Sequence, residues 1–95
     1  MLNASDLSVI QERVPAGAGE TPHVHGKARQ FFYVLSGRAV MEFDDHSVEF
    51  GAGEGVHVPP GVNHKFSNPF QQEVVFLVVS SPSTIGDRTN LPMKR

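Results

Sequence analysis

Apolar and polar residues alternate with a period of two through most of this chain. No stretch of ten or more residues carries the 3.6-residue period of an amphipathic helix. The alternation predicts strands over 8–14 (SVIQERV), 30–35 (QFFYVL), 38–43 (RAVMEF), 47–50 (SVEF), 55–58 (GVHV), 64–67 (HKFS) and 74–80 (VVFLVVS). These runs are short and evenly spaced, with Gly, Pro, Asp and Asn between them. Such spacing predicts an all-β sandwich or barrel.

The joints between strands carry their own signals. Ser36–Gly37, between two apolar runs, reads as a two-residue hairpin turn in which glycine supplies the positive φ. Asp44–Asp45–His46 reads as a second turn and puts His46 in an exposed loop. The Pro59–Pro60–Gly61 triplet stops one strand and stiffens the entry to the next. The run 74–80 is apolar at both parities, which predicts a strand sandwiched inside the fold. The expected sandwich or barrel therefore occupies residues 1–80, and 81–95 (SPSTIGDRTNLPMKR), without periodicity, is expected to be an irregular C-terminal tail.

Composition narrows the class without changing it. A chain of 95 residues accommodates one domain around one core. A net charge of −2 offers no basic field for nucleic acid. Cysteine is absent, which excludes disulfides and thiolate metal sites. No apolar run approaches the roughly 18 residues of a membrane span, and no charged-then-apolar leader pattern opens the sequence. The expectation is a cytoplasmic protein with no nucleic-acid partner and no membrane.

Histidine spacing introduces chemistry. His23 and His25 are two apart, so on an extended segment they share one face, about 6.6 Å apart. Gln30 shares parity with Phe32 and Val34; His64, after the Pro-Pro-Gly stop, shares a face with Phe66. A barrel that turns all four inward would hold a His, His, Gln, His cage, which spacing permits but does not require.

Two longer patterns make the reading specific. Gly17, His23, His25, Gln30 and Gly37 follow the spacing G-x5-H-x-H-x3,4-E-x6-G, with glutamine at the glutamate position. Gly53, Pro59, Gly61, His64 and Asn68 follow G-x5-P-x-G-x2-H-x3-N throughout. Residues 17–37 and 53–68 thereby resemble the two motifs of the cupin superfamily, in its small single-domain form. The resemblance implies an antiparallel jelly-roll β-barrel with one divalent metal ion in its mouth, carried over onto His23, His25, Gln30 and His64. Some cupin groups have Gln at this position, among them small ones that linearise unsaturated uronates.

A divalent ion on three imidazoles and a carboxylate leaves a formal charge of +1; an amide in place of the carboxylate leaves +2. For a substrate carboxylate ~4 Å away, the missing like charge amounts to ~4 kcal/mol at an effective dielectric of ~20. Such a site favours anionic ligands and Lewis-acid polarisation. It disfavours high-valent iron, which needs anionic donors. The expected function is non-redox isomerisation, ring opening or lyase chemistry on a small polar, anionic sugar-like or carbonyl substrate. Alternatives are a non-catalytic binding or sensory module and an Fe(II)-dependent dioxygenase. Imidazole suits several metals: Zn or Ni is favoured, with Mn, Fe and Cu compatible.

Other residues stay open between two roles. His57 is the candidate catalytic base if it faces inward, and an exposed histidine otherwise. Phe32 and Phe66 either line the pocket or belong to the core. Lys27, Arg29 and Arg38 either draw an anion to the mouth or form a solvated face. Phe31, Leu35 and the 74–79 run need cover, which suggests a homodimer formed by face pairing or by exchange of strand 8–14.

Overall fold

Among the described residues there are nine strands: β1 Ser8–Val14, β2 His23–His25, β3 Arg29–Ser36, β4 Arg38–Phe43, β5 Ser47–Gly51, β6 Gly55–Val58, β7 His64–Ser67, β8 Val74–Ser81 and β9 Arg88–Asn90. They are seen in a computed structural model that describes residues 7–19, 23–25, 28–81 and 88–90; for 23–25 and 88–90 it describes the backbone. The strands form two antiparallel sheets, ordered β1-β8-β3-β6 and β5-β4-β7-β2-β9. The all-β architecture expected from the alternation, and the antiparallel jelly-roll that the resemblance implies, are what is observed.

The alternation becomes a core because each sheet turns one parity inward. Phe32, Val34, Val58, Val74, Phe76 and Val78 come from the first sheet, and Ala39, Met41, Phe43, Phe50 and Phe66 from the second. Rings cross the interface: Phe66 stacks on Phe76 at 3.9 Å between centroids, and Phe32 lies 5.8 Å from Phe66. Dispersion among such close-packed rings adds to the area they remove from water.

Four positive-φ glycines occur among the described residues: Gly17, Gly37, Gly53 and Gly61. These are the glycines of the two sequence motifs, so the motifs mark backbone shape as well as candidate ligands. Asn68, the last motif residue, is fully buried. Its Nδ2 donates to the carbonyls of Val14, Pro15 and Gln72, and its Oδ1 accepts from the Phe70 amide. One amide thereby satisfies backbone groups that would otherwise be buried without partners.

Three expectations are corrected. Ser36–Gly37 does not close a hairpin: β3 lies between β8 and β6, while β4 pairs with β5 and β7 in the other sheet. Gly37 has φ +86°, and a Cβ there would stand 2.5 Å from the Glu73 carbonyl oxygen. Positive φ is common to tight hairpins and to such corners; contact with the 73–74 backbone makes this one a corner. Next, β8 is buried on one face and half-buried on the other, because only the first faces the opposing sheet. Finally, the stretch after residue 81 is not wholly irregular: β9 pairs with β2. Its sequence, RTN, is too short and polar for periodicity to reveal.

Other local readings agree with the structure. Asp44–Asp45–His46 joins β4 to β5 in register, closed by the Phe43 amide on the His46 carbonyl. His46 is exposed, with its ring 4.8 Å from that of Phe43.

Candidate functional site

The interior face of the first sheet carries buried polar residues at one end, and the backbone register of the second sheet gathers histidines. In the first sheet, register pairs Ser8 with Ser80, Ser80 with Gln30, and Gln30 with Val58. All four are buried. In the second sheet, Phe43 pairs with His64, His64 with His23, and His23 with Asn90. His25 sits opposite Arg88. The register thus places His23 directly across from His64, as an antiparallel pairing of the two motifs requires. The side chains of His23 and His25 lie outside the described residues.

Gln30 and His64 can be followed atom by atom. Gln30 Nε2 donates to Ser80 Oγ at 3.1 Å. Its other end, Oε1, is buried and has no hydrogen-bond partner among the described residues. A buried carbonyl oxygen left so costs roughly 1–3 kcal/mol unless a ligand completes it. His64 is fully buried, with its ring edge-on to Phe32 at 5.8 Å between centroids. Its Nδ1 lies 2.9 Å from the Val62 carbonyl oxygen, which can only accept, so Nδ1 carries the proton. The neutral ring then holds its lone pair on Nε2, the tautomer that a carbonyl bonded to the far nitrogen sets for a metal-ligating histidine. An amide oxygen, from the residue two before Phe32 on the same face of β3, and an imidazole nitrogen, on the ring that meets Phe32, are donors that fit a divalent cation.

His57 does not join this group. It pairs with Phe31 on β6, at the parity opposite to buried Val58, and so points outward. Its Nε2 accepts from Arg29 Nη1 at 2.8 Å on the exposed surface. The catalytic role expected of an inward His57 is removed by that parity. Phe66 is core, covered by Phe76 and Phe50, rather than pocket wall. Phe32 is core as well, and its edge contact with His64 makes it the floor beneath the site. Arg38 is held by Glu49 at 2.8 Å, at the Gly37 corner, the end of β3 opposite Gln30. Lys27 lies outside the described residues.

Motif reading alone did not find Ser80, although a signal existed. Val74, Phe76, Val78 and Ser80 share one parity, and the last breaks an apolar row at a buried position. A serine there needs a partner, and the β3–β8 register supplies Gln30.

Comparison with known proteins settles the family. The model of the cupin domain family matches residues 10–80. The chain belongs to that family. Among curated proteins, this cupin is 29% identical over 75 residues to an uncharacterized protein of Methanocaldococcus jannaschii, covering 79% of the chain and 60% of that protein. The chain thus spans less than two thirds of that relative's length. Among solved structures, it is similar to an uncharacterized conserved protein with a double-stranded beta-helix domain from Klebsiella pneumoniae. The TM-score is 0.86, with 23% identity over 96% of this chain and 79% of the other. It is also similar to a sugar phosphate isomerase of the cupin superfamily from Silicibacter pomeroyi. There the TM-score is 0.75, with 27% identity over 83% of this chain and 52% of that one.

Proposed function

We propose that this cupin holds one divalent metal ion on His23, His25, Gln30 and His64. It acts by non-redox Lewis-acid chemistry on a small polar, anionic sugar-like or carbonyl molecule. The observation that carries the reading is the Gln30 amide, whose nitrogen is tied to Ser80 while its buried oxygen lacks a partner among the described residues. When bound, the ion polarises a carbonyl or hydroxyl oxygen of the ligand. The chain's own part is to present neutral donors: Gln30 through Oε1, and His64 through the Nε2 lone pair that Val62 secures. With no carboxylate among them, the ion's full charge acts on the ligand, which supports an anionic substrate and argues against a dioxygenase. Phe32 supplies an apolar floor that keeps the local dielectric low. The resemblance to a sugar phosphate isomerase supports the same substrate class.

A second reading, a ligand-binding module without turnover, is favoured by one observation. The buried polar residues among those described are Ser8, Gln30, Asn63, His64, Asn68 and Ser80, none of them a carboxylate, and His57 faces out. Metal analysis of purified protein, followed by a thermal-shift screen of sugar phosphates and uronates with products read by mass spectrometry, tests both. The expected result is one divalent ion per chain. Chelation should lower the melting temperature while the β-type circular dichroism persists, because apolar alternation, not the ion, shapes the barrel. Metal content far below one ion per chain after reconstitution with Zn, Ni, Mn or Fe would sink the proposal. Stabilisation by a ligand without product would select the binding module, and oxygen uptake with Fe(II) the dioxygenase.

We further propose that two copies pair through the outer face of the first sheet, in the cytoplasm. Phe31 and Leu35 are 41% and 43% exposed there, beside half-buried Val75, Leu77 and Val79. β1 is already paired along its length with β8 of its own chain, which favours face pairing over strand exchange. Light scattering should give the mass of two chains, and Phe31→Glu the mass of one. A monomeric wild type would refute the pairing. Among the described residues, no helix is long and apolar enough to cross a membrane.

A further inference from the structure

We propose that Ser80 is a positioning residue that ties one end of the Gln30 amide to the β3–β8 seam and so presents the other end to the barrel interior. The inference rests on the metal reading given above. A carboxamide has two chemically opposite ends: an oxygen that only accepts and an NH2 that only donates. Turned one way, Gln30 offers a cation its oxygen. Turned the other, it points two N–H bonds at the site, repels a metal ion and attracts a carboxylate or phosphate. The two shapes are nearly identical, so packing alone chooses poorly between them.

In the structure a hydrogen bond from Nε2 to Ser80 Oγ fixes one end. It removes the NH2 end to the β3–β8 seam and leaves Oε1 buried, with no partner among the described residues. Gln30 and Ser80 are directly opposed in the register, at 5% and 2% exposure, so water competes little for either group. Ser8, opposite Ser80 on the other side, is equally buried, but its Oγ makes no hydrogen bond among the described residues. It provides a control from the same polar row.

The test compares Ser80→Thr with Ser80→Val in the full chain, two side chains of nearly one shape of which only the first keeps the hydroxyl. Zn2+ alone is titrated calorimetrically, and the Gln30 side-chain NH2 is followed by NMR in the metal-free protein. Ser80→Val should bind Zn2+ about tenfold more weakly than Ser80→Thr, the lower end of what losing a ligand's hydrogen-bond partner costs. Its Gln30 NH2 should exchange with water faster. Ser8→Ala should bind Zn2+ as the wild type does. Equal affinity and equal exchange in the Thr and Val variants would overturn the inference while leaving the metal site standing. An equal loss in Ser8→Ala would do the same, by making the effect one of general packing. A wild type that takes up no Zn2+ would overturn the metal reading and the inference together.

Discussion

His64→Ala is expected to bring metal content well below one ion per chain and to destabilise the fold by about 2–4 kcal/mol. Both effects have one cause. The ring is fully buried, edge-on to Phe32, in a strand pinned between β4 and β2. Removing it leaves a hole that rigid neighbours cannot close, and strips the Val62 carbonyl of its donor. His64→Gln separates the two effects, because it keeps most of the volume and a donor but not the imidazole. It should retain more stability than the alanine variant and still lose most of the metal. Elemental analysis and urea unfolding measure the two quantities. Imidazole must be deprotonated to ligate, so wild-type occupancy should fall as pH drops below about 6.5. Full occupancy in His64→Ala would remove His64 from the site.

Gln30→Glu is expected to weaken binding of an anionic ligand by up to ~4 kcal/mol, less what solvent screening removes, while metal binds at least as tightly. The substitution is near-isosteric, and the Ser80 hydroxyl can turn to donate to the new carboxylate. The metal-free protein responds differently. A carboxylate in a position 5% exposed has no opposing charge until a cation arrives. Burial favours the protonated acid, so the folded variant holds its proton more tightly than the unfolded chain does. Stability of the metal-free variant should therefore match the wild type most closely at acid pH and decline as pH rises above about 4.3, the ordinary glutamate value. Added metal should restore it. Calorimetry at equal metal loading, against the best anionic ligand from the screen, decides the first half; melting temperature against pH decides the second. Unchanged or tighter anion binding would show that the missing charge is not why glutamine stands at this position.

What could be read from the sequence was whatever depends on neighbours along the chain. Alternation located β1, β3, β4, β5, β6, β7 and β8 to within a residue at either end, because burial in a sheet is decided two residues at a time. His57 illustrates the same rule: adjacent to inward Val58, it could only face out. Partnership across sheets is different. Nothing local distinguishes Gly37 as a corner from Gly37 as a hairpin turn; the Glu73 carbonyl that decides it lies 36 positions along the chain by numbering. β9 was missed because its pairing comes from β2 rather than from its own residues. For the site, motif spacing supplied the four candidate ligands. The atoms that orient two of them, Ser80 Oγ and the Val62 carbonyl, came from register and from a turn.

The pairing of β1 with β8 has a kinetic side. Ser8 meets Ser80 and Val14 meets Val74, so the first and last long strands of the barrel lie side by side. β3, in turn, finds its partners in β6 and β8, both well downstream. On a ribosome, the β4–β5 hairpin closes as soon as its own residues emerge. The sheet that carries Gln30 cannot assemble until residues 74–81 have been made. Loop-closure entropy must be met before those distant contacts return anything, which places such topologies among the slow folders, in milliseconds to seconds. Until then β1 and β3 lack the strand that lies between them, and a crowded nascent chain is at greatest risk of pairing with a neighbour in that interval.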